Sequence, residues 1–388
     1  MTTALIMSGG GARGAYEVGV LSYLFDVLAR EHGRPPIDFV CGTSVGAING
    51  AYLASNIQAE GAAMGELESL WRDLTLSNVL GFNVLQATRL HRVLLGGRRG
   101  AGLFDATPMT EIIRQGIDYR QLARNLRAGK LKAFTTTATH VSSGHPVCFI
   151  GRSPGIPLPV GLPRNVIVRS ANIMPHHVLA SAAIPVVFPP VYIRKDLYCD
   201  GGLRLNTPLS PAIHLGADRV LVIGLGTPNA ESGMKRGRFP GLPFLLGKVL
   251  DAFLLDHVNF DLEELEHING MLADGERAFG PDFVERLNAA AAERGAPPRR
   301  KVESFAIRPS EDLGIIAARY LDRERKRLKK QLGRALLSLM DVGEGASAAD
   351  LASYLLFDGG YAAELIRLGK KDAADRREEL ERFVFAKN

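Results

Sequence analysis

Two apolar runs near the start of the chain, Ala4–Met7 and Ile37–Cys41, each close on glycines and each lead into a helix-patterned stretch. After the first come Ser8-Gly9-Gly10-Gly11, then Val18, Leu21, Phe25 and Leu28 at helical spacing, stopped by Gly33 and Pro35-Pro36. After the second come Gly42-Thr43-Ser44-Val45-Gly46 and the small-residue stretch Ala47–Ala54. Two strand–glycine–helix units in some fifty residues predict an α/β fold built on a parallel sheet.

The rest of the chain extends that pattern. Lys132–Thr139 is a β-branched strand, and Gly151–Pro163 reads as a Pro/Gly loop. Pro175–Ala183 predicts a short helix, since Pro175 suits a first turn and Pro185 ends it. Val191–Ile193 and Leu197–Cys199 pair as a hairpin around Arg194-Lys195-Asp196, and Arg219–Leu225 is a buried strand. Residues 75–105, with Arg89, Arg92, Arg98 and Arg99 around Gly96-Gly97, read as a surface loop or as a flap. Gly226–Pro243 is rich in Gly and Pro, 245–295 is helical with mixed charge, and Val302–Ile307 is one more strand. Residues 226–300 therefore read as an insertion into the same sheet, and the chain from Glu311 onward as helical.

Composition removes several classes. With 388 residues, 46% hydrophobic and 23% charged, the chain is neither disordered, collagenous nor a disulfide scaffold. Cys41, Cys148 and Cys199 are an odd, sparse set, which points to a reducing, cytoplasmic setting. No run approaches the roughly 20 apolar residues of a membrane span. Met1–Met7 lacks a basic leader and reads as a first strand, so a soluble protein is expected. Lys plus Arg exceed Asp plus Glu by 47 to 41, a mild excess that leaves phospholipid and nucleic acid open as anionic partners.

Gly42-Thr43-Ser44-Val45-Gly46 is a G-x-S-x-G between a strand and a helix, as a nucleophile elbow requires. Small flanking residues allow the sharp turn that lifts a serine oxygen out of the sheet, and the helix behind it turns its positive dipole end toward that oxygen. Gly9-Gly10-Gly11-Ala12-Arg13-Gly14 has two readings. It matches the G-x-G-x-x-G of dinucleotide loops, but that fingerprint needs an acidic residue at the end of the second strand. Asp38 opens that strand instead, and its end carries Gly42-Thr43-Ser44. As an oxyanion hole the loop is more coherent, because glycines let amides face outward without a Cβ in the way.

A serine nucleophile needs a base. None of the nine histidines sits in a catalytic pattern: His176-His177 open a helix as surface or packed residues, and His214 reads as structural. Asp200 stands at a strand end before Gly201-Gly202, an arrangement that also suits a plain turn.

Together, Gly9–Gly14, Gly42–Gly46 and Asp200–Gly202 resemble, in order and spacing, the motifs of the patatin-like phospholipases. Asn206-Thr207-Pro208 and the segment from Ser181 to Pro190 are similar to that family too, and the likeness covers about residues 4–225. The resemblance implies a three-layer α/β/α fold with a mainly parallel sheet, divided as a catalytic domain at 1–225, a loop and helical insertion at 226–300, and a final strand with a helical C-terminal region at 301–388. It implies Ser44 as nucleophile, Asp200 as general base, and the amides of Gly9, Gly10, Gly11 and Ala12 as oxyanion hole. Arg13, Gly14, Gly42, Gly46, Gly201 and Gly202 would support these motifs. No metal or other cofactor is implied, and no D-x-D-x-D-G calcium loop occurs. Ser8 departs from the family, in which an aspartate often precedes the glycines.

The implied substrate is a phospholipid or lysophospholipid ester, with hydrolysis and transacylation as two outcomes of one acyl-enzyme. A non-catalytic lipid-binding protein and a nucleotide enzyme are the rivals. An α/β-hydrolase ranks lower, because its elbow usually follows several strands and its base is a histidine. No nucleic-acid partner is expected, and oligomeric state is not written in any motif. The basic stretch Arg323–Lys330 is a candidate for peripheral contact with an anionic membrane, against the commoner outcome of a solvated helix face.

Overall fold

The computed structural model describes residues 1–59, 63–80, 104–163, 165–227, 242–254, 256–339 and 350–386. Among these, nine strands make one mixed sheet: β1 (Thr3–Met7), β2 (Phe39–Thr43), β3 (Ala133–His140), β4 (Pro146–Arg152), β5 (Ile167–Ser170), β6 (Val191–Ile193), β7 (Asp196–Asp200), β8 (Arg219–Ile223) and β9 (Glu303–Ile307). The order across the sheet is β5-β4-β3-β2-β1-β8-β9, with the β6–β7 hairpin joined to β3. From β3 to β9 all neighbours are parallel, while β4 returns antiparallel to β3.

In chain order the helices include α1 (Ala15–Ser22), which a π turn (Tyr23–Leu28) joins to α2 (Ala29–His32), then α3 (Val45–Asn56), α4 (Ala63–Arg72) and α5 (Leu76–Leu80). They continue with α6 (Thr107–Gly116), α7 (Tyr119–Arg127), α8 (Pro175–Ser181), α9 (Leu209–Leu215), α10 (Leu242–Leu254), α11 (Asp256–Phe279) and α12 (Phe283–Glu293). The last are α13 (Leu313–Leu339), α14 (Asp350–Leu355), α15 (Gly359–Asp375) and α16 (Arg377–Phe385).

The central strands are apolar throughout because both faces are covered. Alternate residues of β1 serve the two layers: Leu5 and Met7 pack with α1, α3 and the C-terminal helices, while Ala4 and Ile6 pack with α9 and α11. The result is the α/β/α architecture that the sequence implies. All three cysteines are free. No described helix is long and apolar enough to cross a membrane.

Three differences from the sequence reading have physical causes. β4 was not expected; its apolar core, Val147–Ile150, begins at a proline and ends at a glycine, and it becomes a strand by pairing residue for residue with β3. β5 is a half-exposed edge strand whose pattern is accordingly weak. The stretch 75–105 is not loop from its start, because Leu76–Leu80 is α5, with Leu76 and Val79 buried. Its basic cluster around Gly96-Gly97 lies outside the described residues, as does most of Gly226–Pro243.

The C-terminal helices pack tightly on the N-terminal ones. α15 crosses α1 where Gly19 and Gly369 meet; a Cβ on Gly19 would collide with Ile366 O, and one on Gly369 with Tyr16 O. Tyr16 OH donates to Asp372 Oδ2 at 3.1 Å across the same contact. On α13, Arg323 pairs with Glu364, Arg327 pairs with Asp358, and Leu328 is buried. Those two arginines of the basic stretch therefore hold acidic groups of this chain.

Candidate active site

Three strand ends assemble the site. β2 runs into the elbow, β1 into the glycine loop, and β7 delivers Asp200 beside β3, where Asp200 pairs with Ala138. Thr43, the last residue of β2, pairs with Thr137 on β3, so Ser44 and Asp200 approach each other over the end of that strand. Their side chains meet directly: Ser44 Oγ donates to Asp200 Oδ2 at 2.6 Å. Ser44 is 2% exposed and Asp200 1%.

The elbow is strained. Ser44 adopts φ 54° and ψ −123°, a region costing a non-glycine residue about 1–3 kcal/mol. Close packing around it holds the turn. A Cβ on Gly42 would collide with Gly46 O, and one on Gly46 would lie 2.5 Å from Met7 O. Ser181, fully buried at the end of α8, accepts the Ser44 N–H at 2.9 Å.

Asp200 is held at both ends. Its N–H donates to Ala183 O at 2.9 Å, and Thr139 Oγ1 donates to its carbonyl at 2.9 Å. The Gly202 N–H reaches Oδ1 at 2.7 Å, leaving Oδ2 for Ser44. Burial pushes the carboxyl up to about 7, and the two hydrogen bonds from Ser44 and Gly202 oppose that shift without cancelling it. Such a carboxylate is a far better proton acceptor near neutrality than one in water.

The glycine loop lies against the serine, for a Cβ on Gly9 would come within 2.9 Å of Ser44 Cβ. Gly9 itself differs from expectation. Its N–H donates to Asn206 Oδ1 at 2.9 Å, and Asn206 Nδ2 donates to Gly9 O at 3.4 Å, so Asn206 straddles the Gly9 peptide and occupies its amide. After it, Gly11–Gly14 form a 3-10 turn whose first bond runs from Arg13 N–H to Gly10 O at 3.1 Å. The amides of Gly11 and Ala12 precede that bond, which leaves them without a partner inside the turn. Gly11 has φ 57°, and a Cβ there would strike Tyr354 O, so only glycine fits. Ser8, the departure noted in the sequence, donates to Ile223 O at 3.3 Å and so ties the loop to β8.

Beneath the elbow is a buried polar chain that sequence reasoning missed. Glu17 on α1 accepts from Asn49 Nδ2 at 2.8 Å, Asn49 also donates to Gly14 O at 3.1 Å, and Trp71 Nε1 donates to Asn49 Oδ1 at 3.0 Å. Complete burial lifts the Glu17 carboxyl well above the usual carboxylate range. Ser181 and Asn206 lie in segments similar to the family, and the sequence signal for both is their place beside Ile184-Pro185 and Thr207-Pro208.

Histidine plays no part in the pair. His177 packs on Phe149, its Nδ1 accepts the Met174 N–H at 3.1 Å, and burial lowers it to about 4. His214 Nδ1 bonds to Ser210 O within its own helix. Both are the packed histidines that the sequence suggested.

Ser44 opens into an apolar cleft. Gly11 and Val45 line it beside the serine, with Trp71, Val79, Ile113 and Phe188 among its walls. Its apolar lining suits a hydrocarbon chain.

Comparisons with known proteins point to one family. A family model described as patatin-like phospholipase matches residues 5–213, just over half the chain. The rabbit (Oryctolagus cuniculus) calcium-independent phospholipase A2-gamma is 26% identical over 84% of this chain and 38% of its own length. The Escherichia coli cGAMP-activated phospholipase is 27% identical over 53% of this chain and 52% of its own. The Aspergillus terreus lysophospholipase nte1 is 39% identical over 58% of the chain, but only 12% of the relative is covered. This chain thus spans about two fifths of the rabbit relative it matches. Among solved structures, VipD from Legionella pneumophila aligns over 94% of this chain and 66% of its own, at 11% identity and a TM-score of 0.31.

Proposed function

The chain belongs to the patatin-like phospholipase family, and on that premise we propose that it is a serine acyl hydrolase of phospholipid or lysophospholipid esters, with Ser44 as nucleophile and Asp200 as general base. One observation carries the reading: the 2.6 Å bond from Ser44 Oγ to a buried carboxylate, at the mouth of an apolar cleft.

The acyl chain enters the cleft and presents its ester carbonyl to Ser44. As Oγ forms its bond to the carbonyl carbon, its proton passes to Asp200 Oδ2, whose raised proton affinity favours the transfer. The amides of Gly10, Gly11 and Ala12 receive the negative oxygen of the tetrahedral intermediate. When the C–O bond to the glycerol side breaks, the departing alkoxide takes the proton back from Asp200. Water then attacks the acyl-enzyme carbonyl and gives a proton to Asp200; the acyl–Oγ bond breaks, Asp200 returns that proton to Ser44 Oγ, and the fatty acid departs with the water oxygen as its new hydroxyl. Nucleophile and base both come from the chain, a scheme that uses no metal and agrees with the calcium independence in the rabbit relative's name. The three free cysteines support a cytoplasmic site of action.

The test is fatty acid release from anionic phospholipid vesicles and from lysophospholipid, comparing wild type with Ser44→Ala and Asp200→Asn. Release by wild type and its loss in both variants is the expected result. Undiminished release by Ser44→Ala would overturn the assignment.

A further inference from the structure

The amides that the proposed chemistry needs sit on a turn supported from outside the family-matched stretch. Arg13, in the middle of that turn, is buried and faces inward. Its Nε donates to Ser353 Oγ at 2.7 Å, and its guanidinium lies 3.9 Å from the centre of the Tyr354 ring. A terminal nitrogen approaches Asp251 Oδ1 at 3.4 Å. Tyr354 OH donates to that same oxygen at 2.7 Å, and Lys248 Nζ reaches Oδ2 at 3.2 Å. Asp251 lies on α10, Ser353 and Tyr354 on α14, and these two helices pack against each other and α14 against the turn. The carbonyl of Tyr354 abuts Gly11.

We propose that Asp251, Ser353 and Tyr354 are positioning residues for the oxyanion loop: they fix the direction of the Gly10–Ala12 amides by clamping Arg13. The inference rests on the acyl-hydrolase reading above and adds to it residues that lie beyond position 213. An arginine suits this task because its planar fork meets a hydroxyl, a carboxylate and an aromatic face at once, where a lysine offers one point charge. The geometry also excludes the more obvious use of Arg13, contact with a substrate phosphate, because its cation is already enclosed by groups of the chain. Oxyanion donors act only when aimed at the oxygen of the transition state, so a small rotation of this turn weakens catalysis and leaves acyl binding alone.

Two inhibitors separate these effects. A trifluoromethyl ketone with a long alkyl chain adds Ser44 Oγ to its carbonyl and places an oxyanion in the hole; the matching secondary alcohol only fills the cleft. Asp251→Asn and Arg13→Lys are expected to bind the ketone roughly tenfold or more weakly and the alcohol as wild type does, with kcat falling and KM steady. The double variant is expected to lose little beyond the worse single one, since both break the same clamp. Equal weakening of ketone and alcohol, or unchanged ketone affinity, would overturn the clamp. Ser44→Ala is the separate control: if it binds the ketone as tightly as wild type, the hydrolase reading has failed; if it alone loses affinity, only the clamp has.

Discussion

Ser44 and Asp200 lie 156 positions apart in sequence and 2.6 Å apart in space, and neither side chain reaches solvent appreciably. The pair is dry, so its proton affinity is set by the protein.

That setting fixes the pH dependence. In the proposed mechanism Asp200 must be ionised to accept the serine proton, and its carboxyl is pushed up to about 7. With a soluble ester as substrate, kcat/KM is expected to fall about tenfold per unit below that point and to level off above it. A profile flat down to pH 5 would remove Asp200 from the base role. His177→Ala is expected to keep the same profile, because that histidine is neutral throughout the range.

The same carboxyl destabilises the fold when charged. Its folded-state value lies above the ordinary 3.8, so the folded protein holds its proton more tightly than the unfolded chain does. Stability from this group is full below about pH 4 and declines as pH rises through about 7. Asp200→Asn, which keeps the shape without the charge, is expected to melt several degrees above wild type at pH 8.5 and close to it at pH 4. Thermal melts at the two pH values decide it. An equal change at both would mean that the gain comes from packing.

Asn206 grips Gly9 by its N–H and its C=O. Asn206→Ala is expected to lower kcat about 10- to 100-fold with little change in KM, since the clamp orients the loop and leaves the acyl cleft untouched. A purely raised KM would contradict this division.

On the proposed reading the cleft takes the acyl chain and limits its length. Ile113 is buried in its wall, and Ile113→Trp would fill space that a long acyl chain needs. Hydrolysis of a long-chain nitrophenyl ester is expected to drop at least tenfold while the butyrate ester is spared. Parallel losses on both esters would show that the cleft does not hold the acyl group.

The site was legible in sequence where backbone geometry demands particular residues. Gly42 and Gly46 are required by van der Waals contact and Gly11 by a left-handed turn, so each marks its position in any sequence that folds this way. The long apolar strands were legible for a similar reason, since burial on both faces permits little else. Asn206, Ser181 and Glu17 were not, because a hydrogen bond to a group far along the chain leaves no local pattern. Gly9 shows the limit: sequence places it in the loop, but only the coordinates reveal that Asn206 occupies its amide. β4 and β5 were missed where strand character comes from the neighbour rather than from the residues' own preference.

The crossing of α15 on α1 bears on how the molecule is made. Tyr16 bonds to a residue 356 positions later, and Arg13 to one 340 positions later. During synthesis the glycine loop emerges near the beginning, yet Ser353 and Tyr354, which pack against it, come some 340 positions later. The loop therefore gains these contacts only after translation has passed α14.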